Sequence, residues 1–395
     1  KQIAWAYSLS ATEGFYGYEP KTYQQACQCS NHKEWHEAMD TEMAGLERLK
    51  VFEWGKGSDM ESNSSFIPNK WVYKIKPEKF KGRLVMKGYM EYEAGETFSP
   101  TLKLTTLRLI FALSAVLGFT LLQMDVCNAF VNADAPSDKP IYTNCPEGYE
   151  KNGYVLKLLK ALYGLKGSPR AWYDHISKFL QQLGFEISIL DVCLFTLMSN
   201  GNLILMIGLF VDDLVISGYY NSVQWFKTQI NKEFLMEDLG EPKRILGIDV
   251  TITSTYILLN QPTYISKVIK KFNMGEATKK PTPMETKLKL TKDMSSDNGK
   301  ISGFPYRSLV MCLLYLAICT RFDIANTCKG LCRFLELPGT AMVSAAKRVV
   351  RYLIGSKFFG LKFYKRWRTD RILDISSTWA PNDPVKQYEI GRAHV

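Results

Sequence analysis

Two adjacent carboxylates, Asp212 and Asp213, sit between Leu203–Val211 and Leu214–Ile216, segments that are nearly all apolar. Side by side in such surroundings they repel each other and lose solvation, which calls for protonation or for a cation. A tight solvated turn is the alternative, since Asp is a good turn residue. The flanking segments are apolar on both faces, however, so the hairpin they predict is covered and its acidic tip faces a cleft. A third carboxylate, Asp125, ends another largely apolar stretch, FTLLQMDV. Three acids at strand ends can hold two divalent cations, a pair that activates an attacking hydroxyl and stabilises the leaving oxygen of an in-line phosphoryl displacement. Magnesium suits all-oxygen ligands and keeps waters and substrate phosphates in its remaining positions. A metal-dependent nuclease would use three such acids equally well.

The elements that must position these acids can be read from periodicity. WHEAMDTEMAGLERLKV, residues 35–51, predicts an amphipathic helix. KWVYKIK at 70–76 and RLVMKG at 83–88 predict paired strands. Leu104 to Leu122 predicts a buried helix, and Gln123 to Phe130 a strand and turn carrying Asp125. Pro169 to Gly184 is a helix with Pro near its start and Gly at its end. Further helices are expected at 221–234, 263–274, 306–334 and 342–354, with two strands between 245 and 260. The fold class is α+β, with an antiparallel, acid-tipped hairpin in mid-chain.

Composition narrows the field. The 395 residues are 46% apolar and 23% charged, which excludes a disordered or coiled-coil chain. The longest apolar run, Leu109 to Leu122, is too short to span a bilayer, so no membrane partner is expected. Fifty Lys and Arg against thirty-nine Asp and Glu give a net charge of +11, which points to a polyanionic partner, most often nucleic acid. Nine scattered cysteines predict reduced thiols and an intracellular location. The chain starts at Lys1 with neither Met nor a leader, and is expected to be a fragment without a secretory signal. Cys27, Cys29, His32 and His36 are zinc-ligand types, but they lie too close together for a C2H2 finger and are expected to stay metal-free.

FSPTLKLTTLRLIFALSA, QMDVCNAFVN, LYGLKGSPRAWY, FVDDLVISG and YLAICTRFDIA occur in that order. Together they resemble the reverse transcriptase of copia-type LTR retrotransposons, part of a Pol polyprotein, over about Trp35 to Tyr364. The resemblance implies a right-hand polymerase of fingers, palm and thumb with an antiparallel palm sheet, followed by a helical connection. It implies RNA-directed DNA polymerase activity, a primed RNA or DNA template, deoxynucleoside triphosphates, two Mg²⁺ ions and retroelement particles in the cytoplasm. Its segments would be a tail at 1–34, fingers and palm at 35–240, a thumb-like part at 241–278, a linker at 279–303 and a connection at 304–365. Residues 366–395 would hold a truncated RNase H remnant and an artefactual end.

Residue by residue, Asp125, Asp212 and Asp213 match the catalytic and metal-binding carboxylates, with Phe210 where the family usually has Tyr. Successive strand residues face opposite ways, so Asp125 and Asp212 are expected as direct ligands and Asp213 as a supporting acid. Arg83 and Lys87 match the fingers positions that meet the triphosphate, and a solvated strand face is their alternative. Lys166 and Arg170 match the segment beneath template and nucleotide. Leu246, Gly247 and Ile248 match the primer grip. Phe130, five residues after Asp125, matches the ring that excludes a 2′-hydroxyl, with an ordinary core Phe as the alternative.

The sequence also departs from that pattern. Only Pro77 to Gly82 separate Lys76 from Arg83, and the stretch from Gly88 to Glu96 is short, so the fingers look damaged. A decayed product that binds nucleic acid without turnover is therefore the second reading. The segment 375–380, ISSTWA, lacks the acids of the RNase H opening strand, so no RNase H activity is expected. The final IGRAHV back-translates as a sequencing adapter, which predicts an assembly artefact.

Overall fold

The structure, a computed structural model, describes residues 18–76, 79–91, 95–135, 139–295 and 304–365. The N-terminal tail to residue 17, the Pro77–Glu78 link and the RNase H-like remnant lie outside the described residues, as does part of the Gly88–Glu96 stretch. The described residues form two compact units, one of 18–110 and 120–240, the other of 111–119, 241–295 and 304–365.

The first unit is built on a six-stranded antiparallel sheet. Its strand order is Met236–Gly240, Thr120–Val126, Asp213–Gly218, Asn202–Phe210, Leu194–Ser199 and Glu186–Ile187. The two strands that carry acids, Thr120–Val126 and Asp213–Gly218, are central neighbours, which explains why both read as continuous apolar runs. Helix Tyr220–Glu233 covers the sheet with Val223, Phe226 and Ile230.

A separate two-stranded ladder pairs Asn69–Lys76 with Lys79–Met86, in register from Asn69↔Met86 to Lys76↔Lys79. Helix His32–Arg48 packs on it through Trp35, Met39, Met43 and Leu46, burying them with Trp71, Tyr73, Leu84 and Met86. Trp35 meets Phe80 edge-on at 4.6 Å between ring centroids. The same core takes in Phe52, Ile141, Leu156 and Leu158, so the hairpin is anchored to the strands around it.

The second unit has a four-stranded sheet ordered Arg244–Ile245, Ile248–Ile252, Tyr256–Asn260 and Gly360–Tyr364. The last strand pairs with Tyr256–Asn260, so the segments read from sequence as 241–278 and 304–365 share one sheet. Helices Pro262–Lys271, Tyr306–Cys319, Ala325–Cys332 and Thr340–Gly355 complete it.

Two predicted helices are corrected. The one expected over 104–122 ends at Leu117. Gly118 adopts φ +68° and the Phe119 N–H donates to Ser114 O at 3.0 Å, a glycine cap that releases the chain into the Thr120–Val126 strand. The helix expected over 306–334 breaks after Cys319. There the buried Arg321 side chain is held by Asp323 and Ser356, and a short 3-10 turn intervenes before Ala325. None of the nine cysteines is joined in a disulfide, and the His36 ring packs edge-on against Tyr23. Among the described residues no helix is long and apolar enough to cross a membrane.

Candidate active site

Asp125 is the penultimate residue of strand Thr120–Val126, and Asp213 stands opposite it in the antiparallel register. Glu237, from strand Met236–Gly240, stands opposite Asp125 on the other flank. Opposed residues of an antiparallel pair project on one face, so the topology collects acids from three strands. Asp212 is the second of the two turn residues enclosed by the Phe210↔Asp213 pair. Its carbonyl accepts the Val126 N–H at 2.9 Å, which ties the hairpin tip to the strand bearing Asp125.

That tip is strained. Val211, the first turn residue, has φ 58°, a conformation that hairpin turns normally give to glycine and that a β-branched side chain rarely adopts. The Trp172 Nε1–H donates to the Val211 carbonyl at 2.7 Å, and the Trp172 ring is buried against Phe234. Trp172→Phe keeps a ring but deletes this donor. The expected cost is about 1 kcal/mol, the low end of the penalty for leaving a polar group unpaired, because the carbonyl is only partly buried. It is read as a lower urea midpoint at constant m; an unchanged midpoint would show that the turn does not depend on this bond.

Asp125, Asp212 and Glu237 line a cleft of about 620 Å³. Lys79, Lys81 and Arg83 line it too, and their spacing of two places them on one face of strand Lys79–Met86. The cleft thus sets carboxylates against a basic stripe. The Arg83 guanidinium lies over the Tyr163 ring, 4.8 Å from its centroid, and Tyr163 meets Phe130 edge-on at 4.6 Å. Glycine makes this approach possible: a Cβ on Gly88 would fall 2.0 Å from the Gly164 carbonyl, and Gly164 itself has φ +95°. The Met86 N–H then donates to Tyr163 O at 2.7 Å, fixing the strand over the ring. Arg83 Nε is buried with no hydrogen-bond partner among the described residues.

Electrostatics report the crowding of negative charge. Burial, reinforced by Asp212, pushes the Asp213 carboxyl above its ordinary range, against a hydrogen bond from Gln123 Nε2 at 3.4 Å. Burial pushes the Tyr163 hydroxyl up to about 12, with Asp212 and Asp125 acting in the same direction and Arg83 opposing them. The Cys127 thiol is raised by burial and then by Asp125 and Glu237. Among the described residues no three His, Cys, Asp or Glu are grouped closely enough to form a metal cage. Two carboxylates sharing one cleft nonetheless fit magnesium, which takes one or two carboxylates and completes its shell with water and substrate phosphate.

The other residues singled out in the sequence lie as follows. Phe130 reaches the cleft only through Tyr163, and Lys87, just past the strand end, is not among the residues lining it. Lys166 donates from Nζ to the Glu91 carbonyl and from its N–H to Glu91 Oε2, and Arg170 is paired with Asp174 at 2.8 Å and Glu96 at 2.9 Å. Leu246 and Gly247, with φ of 48° and 73°, form the turn between Arg244–Ile245 and Ile248–Ile252 in the other unit. Lys79, Lys81, Tyr163 and Glu237 escaped notice in the sequence. The alternation Lys79, Lys81, Arg83 was the available signal for the first two.

Residues 56–286 match the family model described as reverse transcriptase (RNA-dependent DNA polymerase). The retrovirus-related Pol polyprotein from transposon TNT 1-94 of Nicotiana tabacum is 35% identical over 358 residues, covering 86% of this chain and 26% of its own length. That from transposon RE1 of Arabidopsis thaliana is 31% identical over 368 residues, covering 89% and 24%. The chain therefore spans about a quarter of the length of these relatives. The solved foamy viral protease-reverse transcriptase in complex with dsDNA aligns at a TM-score of 0.46 and 11% identity, over 88% of this chain and 60% of its own.

Proposed function

The chain belongs to the reverse transcriptase family of copia-type Pol polyproteins, and on that footing we propose that it is an RNA-directed DNA polymerase domain that adds deoxynucleotides to a primer 3′-hydroxyl. The observation that carries this reading is the cleft, in which Asp125 and Asp212 face Lys79, Lys81 and Arg83. A nucleoside triphosphate needs both walls. Its phosphates carry charge that the basic stripe neutralises, and Arg83 offers a planar donor held by its stack on Tyr163. In this reading the six-stranded sheet is the palm, the 69–86 hairpin belongs to the fingers, and 241–278 acts as the thumb. A primed template is the macromolecular partner, and a basic chain of +11 suits it.

Asp125 and Asp212 would hold magnesium, two ions in the full site, which would supply activation of the primer hydroxyl and stabilisation of the leaving oxygen. Asp213, opposite Asp125 and hydrogen-bonded by Gln123, would support the cluster without lining the cleft. Glu237 adds negative charge at the cleft wall.

Sugar choice tests the reading in detail. Phe130 does not line the cleft but packs on Tyr163, which does, so in this reading its ring excludes a 2′-hydroxyl by fixing where Tyr163 stands. Phe130→Val is expected to raise ribonucleotide incorporation selectively while deoxynucleotide addition is largely kept. The measurement is the ratio of kcat/KM for the two sugars, parent against variant, in primer extension on an RNA template. An unchanged ratio in an active variant would remove Phe130 from the site, and loss of both activities together would make it a core residue worth about 1–3 kcal/mol.

A further inference from the structure

The second unit carries an exposed surface that the polymerase reading does not use. Phe358, Phe359 and Tyr364 are 69%, 60% and 67% exposed, and Phe322 is 49% exposed. Rings of this size are ordinarily buried, so Phe358, Phe359 and Tyr364 together on one surface ask for a partner. Tyr364 stands opposite Tyr256 in the antiparallel register of the sheet, and Lys362 stands opposite Leu258 on the same face. The Lys362 ammonium lies 4.0 Å from the Tyr256 centroid and 5.0 Å from that of Tyr364, and Lys357 lies 5.7 Å from that of Phe358. Between the sheet face and these rings is a depression of about 580 Å³, lined by Tyr256, Leu258, Phe322, Phe358, Phe359 and Lys362, among others.

The surface is held firmly. Arg321, 1% exposed, donates to both carboxylate oxygens of Asp323 at 3.0 and 2.7 Å and to Ser356 O and Oγ at 2.9 and 2.7 Å. Its guanidinium also lies 5.6 Å from the Tyr352 ring and 5.7 Å from that of Phe359. Asp323 is thereby neutralised, with Tyr352 OH donating to it at 2.7 Å.

Charge selects the partner. The cations on this face are Lys362, which lines the depression, and Lys357 beside Phe358, while the one acid among its lining residues, Asp323, is paired with Arg321. Open rings interleaved with ammonium groups suit unpaired bases on a phosphate chain, because every base has a π-face and every linkage a charge. A duplex presents no free base faces to such rings. We propose that this face, built by Tyr256, Phe358, Phe359, Lys362 and Tyr364, binds a single-stranded stretch of nucleic acid by base stacking. The proposal is independent of the catalytic cleft, since it requires neither metal nor turnover.

The test uses the full chain in EDTA and fluorescence anisotropy with three probes of about twenty nucleotides: oligo-dT, oligo-rU and an abasic sugar–phosphate oligomer. The double variant Phe358→Ala/Tyr364→Ala is expected to bind oligo-dT and oligo-rU about tenfold or more weakly, with abasic binding unchanged. Lys362→Gln should weaken all three and lower the salt slope by about 0.7. Phe358→Tyr/Tyr364→Phe should retain parent affinity, since both rings are kept. Equal binding of the base-bearing probes by parent and double variant would overturn the proposal, as would an equal loss on the abasic probe. Either result would leave the surface to an apolar protein partner.

Discussion

Asp212→Asn is expected to lower nucleotide addition by at least about 10³-fold, on the order of 4 kcal/mol of transition-state stabilisation, while primer–template affinity stays within about twofold. The amide has nearly the volume of the carboxylate, so the turn should survive: the contact that ties the tip to the Asp125 strand uses the Asp212 backbone carbonyl. What changes is charge. Asp125, Asp212 and Glu237 share the cleft, and removing the Asp212 charge leaves Asp125 without the second cation ligand proposed here. Steady-state primer extension measures the rate, and anisotropy with a labelled hairpin duplex measures binding. Loss of both together would point to unfolding rather than chemistry, which the Asp213→Asn variant would separate, since its carboxyl faces Gln123 and its loss should be the smaller.

Arg83→Gln is expected to raise the deoxynucleotide KM about ten- to a hundredfold with a smaller change in kcat, as for removal of a charge-assisted contact worth about 1.5–3 kcal/mol. Arg83→Lys restores the charge but not the planar stack on Tyr163, so partial rescue is expected. Full rescue by Lys would show that charge alone is used. A KM unaffected by Gln would remove the basic stripe from nucleotide binding and leave it a solvated strand face.

Much of the site was legible because its strands are buried on both faces. An acid in an apolar run is conspicuous, and Asp125, Asp212 and Asp213 are all of that kind. The turn itself was not legible: FVDD has no glycine, and Val211 holds a positive φ only because tertiary contacts such as the Trp172 bond pay for it. The run Leu104–Leu122 read as one helix because a buried helix and a buried strand look alike in hydropathy, and only the glycine at 118 marks the change. The break after Cys319 was hidden for a different reason. A buried arginine satisfied by Asp323 and Ser356 leaves no signature in periodicity. Tyr163 and Glu237 were missed because the contacts that give them meaning, with Arg83 and across from Asp125, join segments far apart in the chain.

The 69–86 hairpin bears on whether the site turns over. Its strands still pair in full register up to Lys76↔Lys79, and Trp35 still packs on Phe80, so the basic stripe is presented on an ordered ladder. That is why catalysis is expected of the site. The direct test is extension of a DNA primer on an RNA template by the purified full chain, with all four deoxynucleotides, as Mg²⁺ is titrated. The account predicts products that lengthen nucleotide by nucleotide, require Mg²⁺, disappear in EDTA and are absent with Asp212→Asn. A folded chain that binds the primed template but adds no nucleotide at any Mg²⁺ concentration, and gains none when the hairpin between Lys76 and Lys79 is lengthened, would contradict it.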